Sequence, residues 1–129
     1  MVAKREGREG RCVLVQVINT TRGVALAERC EVARSFLARG RGLMGRAELA
    51  PGAGLLIEPC SSVHSFFMRF PIDVVFVSRQ HRVVGLTAAM PPYRPYAGAR
   101  GARYVVELPA GTIASTGTAV GDLLRIEGV

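Results

Sequence analysis

The sequence predicts a mainly β fold: a small β-sandwich or partly closed barrel of about seven or eight short strands with one short helix. An α+β arrangement is the alternative. Three observations carry this prediction. Short runs dense in β-branched residues recur along the chain, as in CVLVQVIN at 12–19 and IDVVFV at 72–77. Clusters of Gly, Pro and polar residues separate those runs. Apolar residues at helical spacing occur in one place.

Residues 1–11 are polar and mixed in charge and are expected to form a frayed tail, with 12–129 as a single β-rich domain. CVLVQVIN at 12–19 and GVALAE at 23–28 form two strands, and the intervening TTR with Gly23 suits a hairpin loop. EVARSFLA at 31–38 is the expected helix, with Val32 and Phe36 on one face, Glu31 in its first turn and Gly40 after its end. RGRGLMGRAELAPGAG at 39–54 has five glycines and one proline, so it is a loop, anchored by Leu43, Met44 and Leu49.

LLIEP at 55–59 is a short strand, and SFFMRF at 65–70 and IDVVFV at 72–77 are two more, separated by Pro71. SRQH at 78–81 turns the chain into RVVGLTAAM at 82–90. A long loop, PPYRPYAGARGA at 91–102, leads to the strand YVVELP at 104–109. AGTIASTGTAVG at 110–121 mixes turns with one helical turn, and DLLRIE at 122–127 is the last strand.

Apolar residues make up 49% of the 129 and charged ones 21%, a composition that favours a folded domain over disorder. The net charge is +7, and Lys4 is the one lysine among the 17 basic residues. The arginines are spread along the chain, with no basic helix and no RNA-binding motif with interleaved aromatics, so nucleic acid is not the expected partner. No apolar run approaches the roughly 20 residues that span a bilayer. The three cysteines, Cys12, Cys30 and Cys60, form no CxxC pair, and no N-terminal stretch has the pattern of an export signal. A cytoplasmic protein with free thiols is therefore expected.

GLMGR at 42–46, GAGLLIEP at 52–59, HSFFMRFPIDVVFV at 64–77, YVVELPAG at 104–111 and TAVGD at 118–122 occur in an order that resembles the DUF192 family, an uncharacterised domain family. The resemblance runs over roughly residues 24–127. It implies a mostly β architecture with a short helix and no assigned reaction. The family's pattern has Trp-Met-Lys-Asn where this chain has Phe67-Met68-Arg69-Phe70.

The candidate functional residues are His64, Arg69, Asp73 and Glu107, ionisable groups set within apolar runs, where an unpartnered charge costs several kcal/mol. Strand parity places Arg69 and Asp73 on one face, about 13 Å apart at roughly 3.3 Å per residue. Glu107 is the expected partner of Arg69. A purely structural ion-pair network is one outcome, and a concave site for a small anionic or polar ligand is another.

His64 suits a general base, with Cys60 as a nucleophile if the chain turns through Ser61-Ser62. No nucleophile elbow, phosphate loop or paired metal-ligand spacing is present, so neither a cofactor nor a metal is predicted. The preferred reading is a non-enzymatic small-molecule or peptide-binding module using Arg69, Asp73 and Glu107, with His64 at the rim. The alternatives are a small acid–base or cysteine-dependent hydrolase using His64, and an edge-strand interaction scaffold.

Overall fold

A computed structural model describes residues 13–128, so the expected tail at 1–11 lies outside the described residues. β1 (Leu14–Asn19) and β2 (Val24–Ala33) form an antiparallel hairpin. Its turn closes through the Gly23 amide donating to the Asn19 carbonyl at 2.8 Å, with Gly23 at φ +68. Helix α1 (Phe36–Arg41) and a loop carry the chain to β3 (Ala53–Ile57), which pairs parallel with β2. A two-residue strand, β4 (Ser62–Val63), precedes β5 (Ile72–Ser78) and β6 (Val83–Met90). β7 (Ala97–Gly98) pairs with β4; β8 (Ala102–Pro109), α2 (Thr112–Thr116) and β9 (Leu124–Gly128) complete the chain.

The main sheet has seven strands in the order β6-β5-β8-β3-β2-β1-β9. Its two ends approach each other at an Arg82–Leu123 bridge, where the Val83 amide donates to the Asp122 carbonyl and the Leu124 amide to that of His81. The sheet is thus curled but not closed, the partly open form of the predicted architecture.

Every residue of β5 is buried, because both faces of the sheet are covered. Val75 and Val77 join Val17, Leu56, Val106 and Leu108 inside the curl. Ile72, Val74 and Phe76 face outward and join Leu43, Leu55, Ile57 and Met68 in a second core. Burying each such side chain contributes about 1.5–3 kcal/mol. The outer core is covered by loops together with the short helix α1 and the β4–β7 pair.

Two sequence expectations fail. The helix expected at 31–38 begins at Phe36: Val32 and Ala33 continue β2, paired to Leu56 and Ile57 of β3. Ladder bonds with β3 outweigh the helical spacing, and Ser35 supplies the actual N-cap, its Oγ accepting from the Ala38 amide at 3.0 Å. Phe36, expected on the helix's apolar face, is 82% exposed.

The strand expected at 65–70 is a chain of turns. Buried Ser65 holds it to the 91–94 loop: Oγ donates to the Pro91 carbonyl at 2.6 Å and accepts from the Arg94 amide at 2.7 Å. Phe67 at φ +64 reverses the backbone, so Met68 alone of the segment's large side chains is buried.

Candidate functional site

Glu107 lies on β8 between Val106 and Leu108, directly opposite Leu55 of β3 and Val74 of β5. Residues paired across strands share a face, so Glu107 points into the outer core with Leu55 and Val74. It is 4% exposed, and its Oε1 has no hydrogen-bond partner among the described residues. Burial pushes its carboxyl up to about 7, against the smaller downward pull of the Arg46 guanidinium. Arg46 is itself bound to Glu31, at 2.9 and 3.4 Å.

A cavity of about 280 Å³ lies over this carboxyl. Buried Leu43, Ile57 and Met68 give it apolar inner walls. Its mouth is formed by α1 on one side, with Phe36, Arg39 and Arg41, and by Cys60 and His64 on the other. Gly42 adjoins the carboxyl: a Cβ built there lies 3.8 Å from Glu107 Oε1, and φ is +51. Arg39 ties the two sides of the mouth together. Its Nη1 donates to the Pro59 carbonyl and its Nε to that of Arg34, each at 3.3 Å.

His64 is exposed, and its Nδ1 accepts from the Phe66 amide at 3.1 Å. In the neutral ring that bond places the proton on Nε2, which is left as a donor. The Cys60 Sγ donates to the Ser62 carbonyl at 3.1 Å, and burial pushes the thiol up. Burial outweighs the downward pull of the Ser62 backbone and favours a protonated thiol over a nucleophilic thiolate.

Of the four residues expected to converge, the structure brings two, His64 and Glu107, to one cavity. Asp73 pairs with Leu108 and therefore faces the inside of the curl, opposite to Glu107. Its carboxylate accepts from the amides of Ala89 (2.7 Å), Ile113 (2.8 Å) and Gly111 (3.2 Å), binding the end of β6 to the start of α2. Arg69 is exposed on the 65–70 turns and forms no ion pair among the described residues, so the expected Arg69–Glu107 contact is replaced by the field of Arg46. Strand parity carried past residue 70 misplaces Arg69 because the segment is not extended.

Sequence reasoning left out Arg39, Arg41 and Gly42, treating 39–54 as a loop with core anchors. The signal was there in RGRG, where alternating arginine and glycine put charge beside exposed backbone. Among the described residues no three His, Cys, Asp or Glu side chains are grouped to hold a metal ion. No described helix is long and apolar enough to cross a membrane.

The chain is similar to a UPF0127 protein of Thermococcus sibiricus, 36% identical over 114 residues that cover 82% of this chain and 71% of the relative. A UPF0127 protein of Pyrococcus furiosus is 37% identical over 112 residues, 84% of this chain and 96% of that one. The crystal structure of a protein of unknown function from Novosphingobium aromaticivorans superposes with a TM-score of 0.79 at 27% identity, covering 97% of this chain and 93% of that one. Residues 17–126 match the family described as DUF192, Uncharacterized ACR. That span takes in every strand that builds the cavity, and the chain belongs to the DUF192 family.

Proposed function

We propose that the protein is a non-enzymatic binding module for a small polar molecule seated in the cavity over Glu107. The observation that carries this reading is the unpartnered Oε1. A buried polar group without a partner costs about 1–3 kcal/mol, more when charged, and a donor brought in through the mouth removes that cost. Apolar walls with a few convergent polar groups are also the usual constitution of a small-ligand site. His64 Nε2 offers a second donor at the rim. A reducing cytoplasm suits this reading, supported by the free thiols of Cys30 and Cys60.

Acid–base chemistry is the second reading, favoured by one observation: a carboxyl held at about 7 exchanges its proton readily near neutral pH. Cysteine-dependent hydrolysis has less support, since the Cys60 thiol is pushed up and bound to a carbonyl. An edge-strand scaffold would use β6 or β9, the ends of the sheet, and would need no cavity.

A thermal-shift screen of small polar metabolites tests the preferred reading, comparing the wild type with Glu107→Leu and Glu107→Gln. Binding predicts at least one stabilising compound whose affinity falls about tenfold or more in Glu107→Leu. Conversion of that compound to product would favour the acid–base reading. Hits that are indifferent to Glu107, or no hits at all, would remove the cavity from consideration.

A further inference from the structure

The chemistry of the cavity wall narrows the ligand, an inference that rests on the binding reading above. Among the described residues Glu107 is the one acidic side chain lining the cavity, and it lies at the buried end. The charged groups at the open end are Arg39 and Arg41, both from α1. An anionic group entering from solvent therefore meets positive charge first and finds its favourable position at the mouth. Arg39 spends Nε and Nη1 on backbone carbonyls, which holds its planar head across the opening and leaves Nη2 as a donor.

Between the two ends lie Leu43, Ile57 and Met68, which call for a stretch of apolar atoms in the guest. At the inner end the guest must bring a donor to Oε1. An ammonium group there would require two full charges in an apolar enclosure, where desolvation offsets much of their attraction. A hydroxyl carries no such cost and can donate to the carboxylate or accept from the protonated acid.

We infer that the cavity takes a small hydroxycarboxylate, its hydroxyl turned inward to Glu107 Oε1 and its carboxylate held at the mouth by Arg39 and Arg41. His64 Nε2, across the mouth from α1, is a further donor to that carboxylate.

Isothermal titration of the full chain tests this with glycolate, γ-hydroxybutyrate and 6-hydroxyhexanoate, a series with an apolar stretch of increasing length. The controls are butyrate, which lacks the inner donor, butanol, which lacks the anion, and γ-aminobutyrate, whose donor is charged. At least one hydroxy acid is expected to bind about tenfold or more tightly than butyrate and butanol. Arg41→Ala, which leaves the Arg39 bonds in place, should weaken the hydroxy acid about tenfold and butanol much less. Glu107→Leu should remove the preference for the hydroxyl while keeping residual binding of butyrate.

Equal binding of butyrate and γ-hydroxybutyrate, tighter binding of γ-aminobutyrate, or no binding by any hydroxy acid would overturn the inference. If a metabolite of another class then binds in a Glu107-dependent way, the binding reading stands and only the ligand class falls. If no compound depends on Glu107, both fall together.

Discussion

Asp73 and Glu107 lie on neighbouring strands, one residue apart in cross-strand register, and both are almost fully buried. They face opposite sides of the sheet, and their surroundings differ as much as their directions. Asp73 accepts three backbone amides and ties together two elements distant in sequence. Asp122, the other buried aspartate, accepts from Arg22, Asn19 and the Ala119 amide. The Arg22 bond, followed by that from Asn19, holds its carboxyl down at about 2. Glu107 has an oxygen with no partner among the described residues and a carboxyl pushed up to about 7. A buried acid surrounded by donors explains itself as architecture. One left without them, beneath an open cavity, is not explained that way, and on that difference the proposed binding site rests.

Asp73→Ala should give the largest effect on that contrast. It strands three amides at once, and a loss of about 4 kcal/mol of stability is expected in denaturant unfolding. A loss below about 1 kcal/mol would mean that the three bonds do not hold β6 to α2.

Glu107→Gln should act in the opposite direction, and only above about pH 4.5. The folded-state value is raised from 4.5 to about 7, so the folded protein holds this proton more tightly than the unfolded chain. The resulting stabilisation is complete below about pH 4.5 and is lost as pH rises through about 7. Wild type and variant should therefore be alike near about pH 4. The variant should become the more stable by on the order of 3 kcal/mol at about pH 9. Parallel pH profiles for the two proteins would show that Glu107 is not desolvated.

Asp122→Asn weakens the hold of Arg22 and should cost about 2 kcal/mol in the same measurement. The wild-type contribution of this group has the reverse sign to that of Glu107: present above about pH 4, it fades as pH falls through about 2. Phe36→Ser should change stability by less than about 0.5 kcal/mol, because the ring is exposed. A larger loss would show that α1 leans on this ring to close the cavity.

The strands were legible where β-branched residues run without a break, as in 14–19, 72–77 and 104–109. Strict alternation holds along β5, where Asp73 faces away from Val74 and Phe76. What could not be read was register between strands. Glu107 faces outward because it pairs with Val74 and Leu55, a match fixed by strand order rather than by any local pattern. Residues 65–70 were misread for a related reason. Their aromatic content suits a strand, but the partners of Ser65 sit more than twenty positions away, in the 91–94 loop. His64 and Glu107 were therefore picked out as residues, while their meeting place was not.

Helix α1 has six residues and buries none of their side chains. Its grip on the sheet comes from Ala38, from Leu43 just beyond its end, and from the arginine bonds to carbonyls. Short of Leu43, peeling the helix away exposes little oily surface, so its opening costs far less than melting the sheet. An opening confined to this segment leaves the strands in place, and amide exchange should be faster along α1 than in the strands.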